Sequence, residues 1–81
     1  MDEAKNEREL TFGEKAVGLR FNPSNNDAVS QIKKECAAVI DTLNNLREAN
    51  PNPEVKRMAA VAITELQTAQ MWGVKAATWT N

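Results

Sequence analysis

The chain has 81 residues, with ten Lys and Arg, eleven Asp and Glu, two Phe, two Trp, one Cys and neither Tyr nor His. A chain this short buries only about 60–65% of its unfolded surface, which predicts one domain that completes its core by oligomerising. The net charge of −1 excludes a general DNA or RNA binder, which needs a basic field. One Cys without His excludes intrachain disulfides, Cys/His zinc sites and Ser–His or Cys–His catalytic pairs.

No apolar run approaches the roughly 18 residues that span a bilayer, and neither long helix has the basic face of a membrane-surface helix. The first five residues are polar and lack the apolar core of a signal peptide. We therefore expect a cytoplasmic protein that binds no membrane and no DNA. Residues 1–10 are expected to be a polar N-terminal segment, and residues 11–81 a single domain.

The domain is expected to begin with a short helix that ends near Leu19. Thr11 and Glu14 have the spacing of a capping box, and Gly18 is placed as a C-cap. A helix this short is not stable alone, so it must pack on the rest of the domain.

The stretch just before the first long helix supports two interpretations. In the first, Ser24 is the helix N-cap, Asp27 complements the positive helix end, and Phe21 packs on the first turn as a hydrophobic staple. In the second, Arg20, Phe21 and Asn22 bind a nucleotide and its phosphates beside the helix N-terminus. Both interpretations remain open at this point.

Two long helices are predicted over residues 25–49 and 53–77, and two prolines in alternation break the chain between them. The apolar seams have heptad spacing: Val29, Ile32, Cys36, Val39, Leu43 and Leu46 on the first helix, and Val55, Ala59, Ala62, Leu66, Ala69, Gly73 and Ala76 on the second. The face of the first helix expected to be solvated carries Gln31, Lys34, Asp41, Asn45 and Glu48. The predicted fold is all-α: a short N-terminal helix plus a two-helix antiparallel hairpin, packed into a homo-oligomer.

A second stripe on the later helix has a mixed character. It consists of Thr64, Thr68, Met71, Lys75 and Thr78, and Trp72 borders it. Protein–protein interfaces are enriched in Met and Trp and can contain hydroxyl groups that are hydrogen-bonded, so the stripe is predicted to face a partner. That partner contact is either plain helix packing between copies or a shared pocket. In the pocket, Lys75 and Thr78 of one subunit join Lys33 of the other around phosphates.

Enzymatic activity is not expected. No carboxylates form a marked pair, and the three glycines lack the spacing of a phosphate-binding loop. Cys36 lies on the seam and is interpreted as a small core residue. We expect no catalytic residue, no metal site and no cofactor.

Three stretches resemble the hairpin domain shared by phage anti-CBASS and anti-Thoeris sponge proteins. They are FGEKAVGLRFNPS at 12–24, Ile32-Lys33-Lys34 with Ile40-Asp41, and AITELQTAQMWGVKAATW at 62–79. The resemblance implies phage proteins without enzymatic activity that form helical dimers and often hexamers in the infected bacterium. They sequester immune second messengers, chiefly cyclic dinucleotides, and in some members cyclic trinucleotides or cyclic ADP-ribose isomers. The alternative is an oligomeric helical adaptor that inhibits a host protein directly.

The resemblance also implies a binding site between two protomers. The family's base-stacking aromatic matches Phe21, which lacks the hydroxyl of the Tyr found in some members, and its ligand-holding lysine matches Lys33. Ile63 replaces an arginine that serves a separate trinucleotide pocket in some members, which argues against that pocket here. The candidate ligand-binding residues are Arg20, Phe21, Asn22, Ser24, Lys33, Thr64, Met71, Lys75 and Thr78.

Overall fold

A computed structural model describes residues 8–22 and 25–80 of the chain. Within these ranges the protein consists of α1 (Phe12–Val17), α2 (Asp27–Ala49) and α3 (Pro53–Ala77), without a strand. The predicted fold class is confirmed, since a short helix precedes a two-helix hairpin. None of the described helices is long and apolar enough to cross a membrane. Most of the polar segment predicted at residues 1–10 lies outside the described ranges.

The caps predicted for α1 define both of its ends. The amide of Glu14 donates to the Thr11 hydroxyl at 3.1 Å, and the Thr11 amide donates to the Glu14 carboxylate at 2.9 Å. This reciprocal pair is a capping box. Gly18 then ends the helix with a φ of 62°, a left-handed conformation that glycine adopts without strain.

Gly13 allows α1 to lie directly on α2. A Cβ atom at Gly13 would lie 2.2 Å from the carbonyl oxygen of Ala37, so only glycine fits at this contact. The Gly13 amide also donates a 2.7 Å hydrogen bond to the carboxylate of Asp41 on α2. The prediction that Asp41 belongs to a solvated face is therefore wrong, because this carboxylate anchors the first turn of α1.

The helix α2 begins two residues later than predicted, at Asp27. Its N-cap is Asn26, whose side-chain oxygen accepts a hydrogen bond from the Val29 amide at 3.1 Å. Asn25 has a left-handed φ of 54°, which excludes it from the helix. Ser24, the predicted cap, lies outside the described residues. Asn caps a helix as well as Ser does, and here Asn26 has the extended backbone that a cap requires.

The buried faces of the hairpin are rotated from the predicted seams. Buried residues are Val29, Lys33, Ala37 and Ile40 on α2, and Ala59, Ile63 and Gln70 on α3. The predicted seam residues Val39 and Leu46 are instead 47% and 45% exposed, and Ala69 and Ala76 on α3 are also exposed. The heptad prediction holds only where two helices pack against each other and against no third element. Here Val17 of α1 joins the central cluster, which turns the buried stripe toward α1.

Candidate functional site

The loop between α1 and α2 presents an exposed aromatic ring. The side chain of Phe21 is 73% exposed, so it is not a staple buried on the first turn of α2. Its backbone is nevertheless held, because the Phe21 amide donates to the Gly18 carbonyl at 2.9 Å. A ring that is open to solvent on a bonded backbone offers its face to a planar ligand.

Lys33 on α2 hydrogen-bonds to the backbone of this loop. Its side chain is 4% exposed, and its ammonium donates to the carbonyls of Gly18 at 2.9 Å and Phe21 at 2.5 Å. The same ammonium lies 5.3 Å from the centroid of the Phe21 ring. Burial lowers the pKa of Lys33 from its ordinary value, since desolvation disfavours the charged form. Two of the three ammonium donors thus bind the loop.

Hydrogen bonds join Asn22 to the start of α2. Its side-chain nitrogen donates to the Asn26 carbonyl and to the Ser30 hydroxyl, both at 2.9 Å, and its side-chain oxygen accepts from the Asn26 amide at 3.1 Å. Asn26 in turn donates to the carbonyl of Ala77 at 3.4 Å, near the end of α3. Both donors of the Asn22 amide are used within the chain, so its main contribution is to the shape of the loop.

A small pocket lies beside the loop. It has a volume of about 190 Å³ and is lined by Arg8, Glu14, Leu19, Ser30 and Lys34. The Arg8 guanidinium donates to the Glu14 carboxylate at 2.9 and 3.2 Å, and the Arg20 guanidinium donates to the Arg8 carbonyl at 2.8 Å. The hydrogen bond from Arg8 lowers the pKa of Glu14, and the bond from Thr11 adds to this shift.

Three residues that line this pocket are not predicted from the sequence as ligand-binding residues: Arg8, Ser30 and Lys34. Lys34 was assigned to a solvated face, and its side chain is indeed exposed, but it also lines the pocket. The lysine pair that follows Ile32 is the one signal in the sequence, since Lys33 bonds to the loop and Lys34 lines the pocket. The pocket itself depends on the docking of α1.

The predicted stripe on α3 faces outward along its whole length. Its members Thr64, Thr68, Met71, Lys75 and Thr78 are all exposed. Thr68 donates to the Thr64 carbonyl at 3.2 Å, and Thr78 donates to the Val74 carbonyl at 2.8 Å. The Lys75 ammonium lies 5.7 Å from the centroid of the Trp72 ring. Among the described residues, no hydrogen bond or ring contact joins the stripe to Phe21 or Lys33.

The chain leaves much apolar surface uncovered. Large apolar side chains that are 43–67% exposed are Phe12, Val39, Leu46, Met58, Val61, Met71, Trp72 and Trp79. The helix α3 is therefore apolar on its outer side as well as on its buried side. Apolar patches of this kind mark surfaces that another molecule covers.

Cys36 and the carboxylates give no further site. Cys36 is half-buried against the central cluster, and burial together with the nearby Glu35 charge raises the pKa of its thiol. A thiol with a raised pKa is a poor nucleophile. Within residues 8–22 and 25–80, no three thiol or carboxylate side chains are grouped so that they could hold a metal ion.

A family model described as Acb2/Tad1, hairpin domain, matches residues 14–78. This range includes the loop that carries Phe21, both hairpin helices and the outward stripe of α3. No curated protein and no solved structure matches the chain.

Proposed function

The chain belongs to the Acb2/Tad1 hairpin domain family, a family of phage anti-defence sponge proteins, and we propose that it sequesters cyclic nucleotide second messengers without cleaving them. Cyclic dinucleotides are the ligands we expect, and cyclic ADP-ribose isomers and cyclic trinucleotides are the further classes to test. Binding would deplete the signal by mass action, so that the CBASS or Thoeris effector of the host stays inactive. The site of action is the cytoplasm of the infected bacterium, where the signal is made.

The observation that carries this proposal is the exposed Phe21 ring on a loop held by Lys33 and Asn22. Stacking of a base on an aromatic side chain contributes about 1–3 kcal/mol and tolerates any base. Four hydrogen bonds from these two side chains hold residues 18–22 of the loop in place. Binding therefore does not have to order this part of the loop, which favours affinity.

A second chain is needed to enclose the ligand. Sequestration requires nanomolar binding, or about 12 kcal/mol, and a small polar ligand reaches that only when most of its surface is covered. The loop side of the proposed pocket carries Arg20, Phe21, Asn22, Ser24 and Lys33. The proposed opposite wall is the outward stripe of a neighbouring subunit in a dimer or hexamer, with Thr64, Met71, Lys75 and Thr78.

The position of Ile63 bears on the class of ligand. Its side chain is 5% exposed and belongs to the central cluster with Ile40 and Val17. A buried apolar side chain offers no donor to a phosphate. We therefore propose no trinucleotide pocket at this position and favour the dinucleotide class.

Ligand retention tests the proposal directly. The protein is incubated separately with cyclic dinucleotides, cyclic trinucleotides and cyclic ADP-ribose isomers, separated from free ligand and heat-denatured, and the released nucleotides are analysed. We expect an intact cyclic dinucleotide to be recovered. A cleaved product would indicate a hydrolase instead.

Retention of none of these ligands would favour the second candidate, an oligomeric adaptor that inhibits a host protein. The large exposed apolar side chains of α2 and α3 support that candidate, since such surfaces suit a protein partner. A direct assay of host effector activation, with the messenger added in excess over the protein, separates the two. A sponge loses its inhibition when the messenger is in excess, whereas an adaptor keeps it.

A further inference from the structure

We propose that the pocket lined by Arg8, Glu14, Leu19, Ser30 and Lys34 is a phosphate subsite. It would hold an anionic phosphate of the ligand while Phe21 stacks on a base. This inference rests on the proposed function for the identity of the ligand, a cyclic nucleotide. It assigns the phosphate contacts to residues other than Lys33.

The described lining of the pocket has an excess of positive charge. It carries two cations, Arg8 and Lys34, and one carboxylate, that of Glu14, although the whole chain has a net charge of −1. The Arg8–Glu14 pair is neutral, and Lys34 makes no ion pair with any described residue. The positive charge of Lys34 is therefore uncompensated among the described lining residues, and it attracts an anion.

Ser30 and Lys34 are the hydrogen-bond donors that we assign to an anion in this pocket. The neighbouring cation, Lys33, already donates two hydrogen bonds to the carbonyls of Gly18 and Phe21. The Ser30 hydroxyl accepts a hydrogen bond from Asn22, which leaves its own proton free to be donated. The Lys34 ammonium makes no hydrogen bond to any residue in the described ranges, and a hydrogen bond from a cation to a phosphate is stronger than one between neutral groups.

The pocket lies beside the loop that carries Phe21. Leu19, on the pocket wall, lies two residues before Phe21, and Ser30 is bonded to Asn22, the residue after Phe21. The pocket therefore adjoins the loop that carries the exposed ring. We expect a nucleotide whose base stacks on Phe21 to direct a phosphate toward this pocket.

The test compares the affinity of a cyclic dinucleotide for the wild type, Lys34→Gln and Lys34→Glu by isothermal titration calorimetry. Lys15→Gln is the matched control, because Lys15 is an exposed lysine of α1 that does not line the pocket. We expect Lys34→Gln to weaken binding roughly tenfold and Lys34→Glu more strongly, on the scale of a charge-assisted contact. We expect the control to bind as the wild type does, and all variants to keep the melting temperature of the wild type.

The outcomes separate this inference from the proposed function. If the wild type binds a cyclic dinucleotide and Lys34→Glu binds it equally well, the phosphate subsite is overturned and the sponge stands. If no cyclic nucleotide binds, the sponge fails, and NMR titration with inorganic pyrophosphate tests the pocket alone. Amide shifts at Ser30 and Lys34 that disappear in Lys34→Glu would support the subsite, and their absence from the wild type would overturn it.

Discussion

The ammonium of Lys33 donates a 2.5 Å hydrogen bond to the carbonyl of Phe21 and lies 5.3 Å from the centroid of the same residue's ring. One buried cation on α2 thus holds both the backbone and the ring of the most exposed aromatic residue in the loop. The placement of Phe21 is therefore set by α2. We therefore expect the affinity for the proposed ligand to depend on the packing of α2 beneath Phe21.

Replacing Phe21 by Ala is expected to weaken binding of a cyclic dinucleotide by about 1–3 kcal/mol, the contribution of base stacking. Because the ring is exposed, the variant should fold and oligomerise as the wild type does. Calorimetry and size-exclusion chromatography measure the two quantities. Phe21→Tyr is the control and should bind at least as well as the wild type. An unchanged affinity of Phe21→Ala would remove this residue from the site.

Replacing Lys33 by Met is expected to lower the free energy of unfolding by about 1–3 kcal/mol, the cost of leaving buried polar groups unsatisfied. The Phe21 carbonyl would lose its bond from Lys33, and the Gly18 carbonyl would keep only its bond from the Phe21 amide, while an aliphatic side chain still fills the space. Urea titration measures the change. Lys34→Met, at an exposed neighbouring position, should be neutral. Equal stability of the two variants would contradict the importance of these bonds.

The stability of the protein should depend on the ionisation of Glu14. Hydrogen bonds from Arg8 and Thr11 lower the pKa of this carboxyl below its ordinary value of 4.5. The charged carboxylate therefore contributes stability that is complete above the unfolded-state pKa and is lost as the pH falls through the lower folded-state pKa. Thermal unfolding from about pH 6 down to about pH 3 should show a steeper loss for the wild type than for Glu14→Gln. Gln keeps the capping geometry without the charge, so parallel curves would contradict the prediction.

Replacement by Ala should change the stability of the protein differently at two glycines. Gly13→Ala places a Cβ 2.2 Å from a backbone oxygen of Ala37, and we expect a loss of about 1–3 kcal/mol as α1 moves away from α2. At Gly73 the nearest atoms belong to the side chain of Ile32, at 3.3 Å and beyond. Ile32 is only partly buried, so we expect its side chain to shift by the few tenths of an ångström required. Ala gains about 1 kcal/mol in helix propensity, so this variant should be neutral or more stable. Chemical denaturation of both variants provides the comparison.

The exposed apolar flank of α2 should be part of the proposed oligomer interface. Val39 and Leu46 are seven residues apart, and so they lie on the same side of the helix. Val39→Glu is expected to shift the protein to a smaller species in sedimentation velocity without loss of helix content. Asn45→Glu, a change at an exposed position on a different side of the same helix, serves as the control. An unchanged sedimentation coefficient of Val39→Glu would place the interface elsewhere.

The helices and their ends are determined largely by local sequence. The capping box of Thr11 and Glu14, the left-handed cap at Gly18 and the prolines between α2 and α3 each act within a few residues. Such signals need no knowledge of the remaining chain, and α3 has the predicted bounds for this reason. The predicted start of α2 was two residues too early because several neighbouring polar residues are equally good N-caps.

The tertiary structure alone decided which side of each helix is buried and what the polar residues do. The heptad seam had the wrong phase because α1 adds a third packing direction through Gly13 and Val17. The anchoring role of Asp41 and the turn of Lys33 toward the loop carbonyls follow from the same docking. These contacts join residues far apart in the chain, and a local sequence pattern does not predict which distant residues pair. The types of side chain at the candidate site could thus be predicted from the sequence, whereas their arrangement arises only when α1 packs on the hairpin.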